Sequence, residues 1–217
     1  MANVLPDNTA TRQSMIDACI WMGQAGINHG SSGNISVRTS GGVLITPSAV
    51  PYAEMTPAMI CQIPTTGAPD PKDTPKPSTE WQFHQSALQA RPDVAAVVHA
   101  HPPHATAIST LRKPIPAIHY MVAAFGGADV PVTDYALFGS AALAGLVASA
   151  LQARDACLLA NHGAITLGAT LDQALWRMAE LENLTRIFTI AVSTGDPVLL
   201  TEAEIAEALE SFASYGR

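Results

Sequence analysis

Charge is scarce in this chain of 217 residues, where Asp, Glu, Lys and Arg together make up 13%. Eleven Lys and Arg against eighteen Asp and Glu leave a net charge of −7, and no basic run is available to follow a nucleic-acid backbone or an acidic membrane surface. An anionic ligand would have to be held locally, by amides and hydroxyls. Cysteine is scarce as well. Cys19, Cys61 and Cys157 are far apart, odd in number and without a CxxC spacing, which argues against a disulfide framework and a thiolate zinc finger and points to a reducing cytoplasm. Long apolar runs are missing: none approaches the roughly 20 residues that span a bilayer. Residues Met1 to Asn8 lack the basic region and apolar core of a secretory signal. What is plentiful is apolar surface. At 48% hydrophobic, the chain can pack a core as one domain over residues 1–217.

Periodicity supplies the elements. Met15, Ile16, Cys19, Ile20 and Met22 follow a helical period between Thr9 and Gly26. Asn34 to Arg38 alternates like a half-buried strand, Ser40-Gly41-Gly42 is a turn, and Val43 to Thr46 resumes the strand, so the pair reads as a hairpin ended by Pro47. Five prolines between Pro64 and Pro77 mark an exposed connection. Ser78 then reads as the N-cap of a helix reaching about Ala90, with Glu80 in its first turn. Further strands are expected at Ala95 to His99, at Pro116 to Tyr120, and from Ala156 to about Asn161 with Ala164 to Leu167 pairing back. Helices are expected at Ser140 to Ala153, at Leu171 to Val192 with Trp176, Ala179, Leu184, Ile187 and Phe188 on the buried face, and at Glu202 to Phe212. This order of strands and helices predicts a three-layer α/β/α arrangement with a central, largely antiparallel sheet.

The chemistry concentrates in histidines. In Val97-Val98-His99-Ala100-His101-Pro102, strand geometry places His99 and His101 on one face. His162, in Asn161-His162-Gly163, leaves the end of the next buried strand. Three neutral imidazoles with an open fourth position describe a catalytic zinc site. The plainer reading of His99 and His101 is a polar patch at a strand end, and that of Ser78 and Thr79 is a helix start. His29, His84, His104 and His119 read as surface or hydrogen-bonded histidines, because a fourth imidazole would close the position a substrate needs.

Seven blocks, in order, carry a resemblance to a known family. They are Gly33 to Arg38, Leu44-Ile45-Thr46-Pro47-Ser48, Pro77-Ser78-Thr79-Glu80-Trp81, Val97 to His101, Ile118-His119-Tyr120-Met121, Asn161-His162-Gly163 and the terminal Ser214-Tyr215-Gly216-Arg217. The chain resembles the class II, zinc-dependent aldolases and adducin heads, the fuculose-phosphate aldolase group in particular. The resemblance implies a zinc ion on His99, His101 and His162 and an acid/base at Glu80. It implies a cradle for the substrate phosphate at Asn34, Ser48, Ala49, Ser78 and Thr79. It also implies a homotetramer with the active site at the subunit interface, where Tyr120 and Tyr215 come from a neighbouring copy. Tyr215 read without the family is only a tail residue. One position departs from the pattern. Ala49 stands where those aldolases commonly have glycine; if the turn needs a positive φ, alanine there would cost about 1 kcal/mol or redirect the amide that meets the phosphate.

The residue types suit the reaction. Breaking a carbon–carbon bond beside a carbonyl leaves charge that must be placed on oxygen, and uncharged imidazoles leave a zinc ion's charge undiminished for that task. A carboxylate beside it can move the proton on carbon, and a phenol such as Tyr120 the proton on the aldehyde oxygen. The expected reaction is reversible cleavage of L-fuculose 1-phosphate or a similar ketose 1-phosphate to dihydroxyacetone phosphate and a short aldehyde, L-lactaldehyde for fuculose. A decarboxylase or an epimerase of a related sugar phosphate or keto acid would use the same chemistry. A non-catalytic, adducin-like association module would be marked by loss of the histidines and Glu80, all of which are present.

Overall fold

The computed structural model describes residues 4–214, with side chains to residue 212. Six strands form one antiparallel sheet: β1 (Asn34–Thr39), β2 (Gly42–Ile45), β3 (Cys61–Ile63), β4 (Ala96–Ala100), β5 (Ala156–Leu159) and β6 (Gly163–Gly168). Their order across the sheet is β3-β2-β1-β4-β6-β5, with every neighbouring pair antiparallel. Six α-helices accompany them: α1 (Thr9–Gln24), α2 (Trp81–Ala90), α3 (Pro103–Ser109), α4 (Ala141–Ala150), α5 (Leu171–Thr194) and α6 (Glu202–Ser214).

Alternation along the strands divides the core in two. Ile35 and Val37 of β1, Ala96, Val98 and Ala100 of β4 and Leu158 of β5 face a cluster closed by α1, α3 and α5. Val97 of β4, Ile165 and Leu167 of β6 and Cys157 of β5 face the other, closed by α2 and α4. The sheet is therefore covered on both sides, giving the expected three layers, and its central strands are apolar on both faces. His99 is the exception in β4, a fully buried polar side chain on the α2 side. Among the described residues no helix is long and apolar enough to cross a membrane.

Four expectations are corrected. Residues 116–120 form no strand: Ile115 makes a single bridge to Val130, Ile118 N–H turns back to the Pro116 carbonyl at 2.8 Å, and a 3-10 turn begins at Tyr120. Pro116 has no N–H to give to a ladder. The short β3 was not foreseen, because three residues are too few to show a period. Trp176 is 42% exposed, whereas Met178, Leu181 and Thr185 fill the inner face of α5. The fourth concerns α2: Glu80, not Ser78, is its cap residue, with the Trp81 N–H donating to the Ser78 carbonyl in a preceding turn.

Candidate metal centre and adjoining cavity

Strand register builds the centre. Asn34 of β1 lies directly opposite His99 of β4, so both side chains rise on the α2 side, where Glu80 at the head of α2 meets them. His101 follows β4 with the same parity as His99. His162 sits in the turn from β5 to β6, made by Asn161 at φ 55°, a left-handed conformation that Asn tolerates better than most residues. Two glycines allow the close approach. A Cβ at Gly163 would lie 2.6 Å from the Ala100 carbonyl and from His101 Cδ2, and one at Gly33 would lie 2.7 Å from the His99 carbonyl. Asn28 fixes the neighbourhood by accepting the His101 N–H at 3.0 Å while donating to Tyr52 Oη at 3.0 Å.

The rings of His99, His101 and His162 meet pairwise at 4.9 Å between centroids, and a ligand nitrogen from each lies within 4.8 Å of the others. The tautomer of His99 is fixed. Its Nδ1–H donates to the Ala164 carbonyl at 2.9 Å, so Nε2 is the nitrogen available to a proton or a metal, and it faces His101 Nε2 at 3.1 Å. Glu80 completes the cluster, with Oε2 3.3 Å from His99 Nε2 and Oε1 3.3 Å from His162 Nε2. Burial, and then the other imidazoles, press the pKa of His101 down to about 3 and of His162 to about 4, so both are neutral near pH 7. Burial also opposes ionisation of Glu80, yet His99, Asn34 and His162 outweigh it and hold the carboxyl down to about 2.

Imidazole nitrogens and carboxylate oxygens lie this close only with a proton or a metal cation among them, and the pressure against protonating His101 and His162 favours the metal. This donor set, imidazole with a carboxylate beside it, suits a borderline divalent ion such as zinc. One observation strengthens the fit. Glu80 Oε1 is buried and accepts no hydrogen bond among the described residues, whereas Oε2 accepts from Asn34 Nδ2 at 2.8 Å. A buried, unpartnered carboxylate oxygen is costly in a finished interior and is expected where a ligand completes the site.

Beside the centre opens a cavity of about 360 Å³ lined by Asn34, Ser48, Ala49, Ser78, Thr79 and Glu80. Local geometry decides which groups in it are free. The Ser48 N–H donates to the Lys76 carbonyl and the Ser78 N–H to the Thr46 carbonyl, while Ser78 Oγ accepts the Glu80 N–H at 3.3 Å, which leaves its hydroxyl proton to give to a ligand. The amides of Ala49 and Thr79 have no partner among the described residues. Ala49 takes the left-handed backbone at φ 58°, so the turn bears the strain of a Cβ there.

Tyr120 is not at this cavity. It is 53% exposed, stacks on Phe212 at 6.3 Å and lines a separate groove with Trp176 and Arg177. Tyr215 lies outside the described residues. His29 is exposed, and His104 pairs with Glu182 at 2.7 Å. Sequence reasoning passed over Asn28, Tyr52, Ser31, Ser32 and Phe138, although the polar turn residues from Asn28 to Gly33 were a signal of a loop built for contact.

The class II aldolase and adducin N-terminal domain matches residues 13–189. The chain belongs to the class II aldolase and adducin family. It is 45% identical to an L-fuculose phosphate aldolase of Escherichia coli strain K12 over 210 residues, which cover 96% of each chain. It is 42% identical to a 5-methylthioribulose-1-phosphate/5-deoxyribulose-1-phosphate aldolase of Rhodospirillum rubrum, over 95% of this chain and 93% of the relative. A solved L-fuculose 1-phosphate aldolase superposes with a TM-score of 0.91 at 33% identity, over 95% of this chain and 97% of that one. The protein is accordingly a class II aldolase, a lyase of carbon–carbon bonds, with a three-histidine cluster suited to a metal ion.

Proposed function

We propose that this aldolase reversibly cleaves a ketose 1-phosphate, L-fuculose 1-phosphate or a close analogue, to dihydroxyacetone phosphate and a short aldehyde such as L-lactaldehyde, with zinc as its metal. The observation that carries the reading is Glu80 Oε1, buried without a donor and 3.3 Å from His162 Nε2, at the wall of a cavity also lined by Ser48, Ala49, Ser78 and Thr79, with the amides of Ala49 and Thr79 unpartnered among the described residues. A carbon acid and a phosphate are the two things such a cavity would hold together.

When bound by His99, His101 and His162, zinc supplies Lewis-acid charge to the substrate's oxygens. In cleavage, the bond between C3 and C4 of the ketose breaks, C3 gains a proton and the C4 hydroxyl loses one. Glu80 handles the proton at C3. Its carboxylate is ionised in the free protein, the base form that removes this proton in the synthetic direction, and Asn34 holds Oε2 so that Oε1 is the oxygen that acts. The phosphate is received by the Ala49 and Thr79 amides and the Ser48, Ser78 and Thr79 hydroxyls, which need no lysine or arginine. Tyr120, which a neighbouring copy in a homotetramer contributes together with Tyr215, gives the proton to the aldehyde oxygen in the synthetic direction, and its phenolate recovers that proton from the C4 hydroxyl in cleavage. The exposure of Tyr120, outside its own chain's cavity, supports that assignment.

A second reading rests on the relative at 42% identity, named for 5-methylthioribulose 1-phosphate and 5-deoxyribulose 1-phosphate. It keeps the phosphate end and the metal and changes only the aldehyde. Both readings are tested by assaying purified protein on these ketose 1-phosphates and on the free ketoses, with and without a chelator. The expected result is chelator-sensitive release of dihydroxyacetone phosphate, with one aldehyde tail preferred. Carbon dioxide from a keto-acid phosphate, or pentulose-phosphate epimerisation without cleavage, would overturn it.

A further inference from the structure

We propose that His84 is a positioning residue that acts through Asn34 to orient the Glu80 carboxylate. This rests on the reading of Glu80 as the group that moves the proton.

Glu80 and His84 are one helical turn apart at the start of α2 and lie on the same side of it. Asn34 and Ser36 are two residues apart on β1 and face that side. His84 is fully buried and stacked on Phe83, with ring centroids 4.8 Å apart. Both its nitrogens are engaged, Nδ1 with Ser36 Oγ at 2.8 Å and Nε2 with Asn34 Oδ1. Asn34 Nδ2 in turn donates to Glu80 Oε2 at 2.8 Å.

The direction of donation follows without freedom. An ionised carboxylate only accepts, so Asn34 must turn its amide nitrogen to Glu80 and its oxygen to His84. His84 Nε2 must then carry the hydrogen, Nδ1 must accept, and the Ser36 hydroxyl must give its proton to Nδ1. Burial, the largest influence, presses the imidazolium form of His84 down to about 3, consistent with a neutral ring that can play both parts. Every polar atom of Ser36, His84 and Asn34 named here is satisfied in one sense only, and the chain of donors ends on Oε2. Without the ring, Asn34 loses the group that keeps its amide from rotating. A buried polar chain with every member satisfied rigidifies the groups it joins, and what this one holds in place is the Asn34 amide on Oε2, which leaves Oε1 open.

Two substitutions separate the contacts. The amide of His84→Gln reaches the position of Nε2 and can donate to Asn34, whereas His84→Asn reaches only the position of Nδ1 and keeps Ser36 alone; His84→Leu keeps neither. The readout is deuterium exchange into dihydroxyacetone phosphate, followed by NMR, beside metal content and crystal structures. We expect His84→Gln within about threefold of wild type. His84→Asn and His84→Leu should fall at least tenfold in rate, with KM within a factor of about three and metal content unchanged, since small misplacements of a reacting group are costly. In their crystal structures the Asn34–Glu80 contact should be lost. Exchange by His84→Asn within twofold of wild type, or crystals of that variant with the Asn34–Glu80 contact intact, would overturn the proposal. Absence of exchange in the wild type would instead sink the role of Glu80, and the crystal structures would still decide whether His84 positions it.

Discussion

Replacing Ala49 with glycine tests the backbone of the proposed phosphate cradle without touching a polar group. Ala49 is exposed and sits at φ 58° in the turn after Pro47. An L-residue with a Cβ pays about 1–2 kcal/mol for the left-handed region, and glycine escapes that cost. Glycine also loses more freedom on folding, which returns about 0.5–1 kcal/mol. The difference favours Ala49→Gly by about 0.5–1 kcal/mol, a rise in Tm of roughly 1–4 °C for a chain of this size. Denaturant titration in the presence of chelator should show a higher midpoint with an unchanged slope, so that metal binding does not contribute. The same substitution in the exposed, right-handed setting of Ala142 in α4 should lower stability by about 1 kcal/mol. The backbone is already left-handed with alanine at position 49, so inorganic phosphate should inhibit Ala49→Gly and wild type within about threefold of each other. A glycine variant no more stable than wild type, or one that gains tenfold in phosphate affinity, would refute the reasoning.

Glu80→Gln preserves shape and the Asn34 contact geometry but cannot accept a proton, so metal content should persist while deuterium exchange into dihydroxyacetone phosphate falls by about 100-fold or more; full exchange in that variant removes Glu80 from the mechanism. Gly163→Ala places a Cβ 2.6 Å from the Ala100 carbonyl and His101 Cδ2, which should cost about 1–3 kcal/mol and weaken metal binding together; calorimetry showing no loss would mean the turn can yield. The metal-free protein should weaken in mild acid. His84 and His101 are pressed down to about 3 and His162 to about 4 in the fold, so below about pH 6.5 the unfolded chain takes up protons that the folded one refuses. Stability is then full above pH 6.5 and lost as the pH falls toward 4, with His84 alone contributing about 1.4 kcal/mol per pH unit in that window. A Tm that stays level from pH 6.5 to 4.5 in chelator would contradict this.

The clustering of the three histidines was legible in the sequence because period-two alternation places His99 beside His101, and because the apolar run before Asn161 shows where His162 emerges. The antiparallel, three-layer fold was legible for a related reason, since helical and strand periods are local properties. What was not legible depends on contacts between distant segments. No pattern announces that Asn34 of β1 will register against His99 of β4, or that Glu80 rather than Ser78 will end the turn into α2. Trp176 was misplaced because apolar character was taken for burial, although α5 leaves that side to an open groove. The strand expected at Pro116 to Tyr120 failed on a proline and a tight turn, whose effects local apolar content conceals. Ala49 ran the other way: the motif itself raised the question of positive φ, and the backbone answers it.

The most direct measurement is the metal content and coordination of the purified protein. Elemental analysis should find about one zinc ion per chain, X-ray absorption should report nitrogen and oxygen neighbours near the roughly 2.0–2.1 Å expected for imidazole on zinc, and His162→Ala should lose most of the ion. A protein that binds no divalent ion after reloading, or one whose His162→Ala variant holds it as tightly as wild type, would contradict the account at its centre.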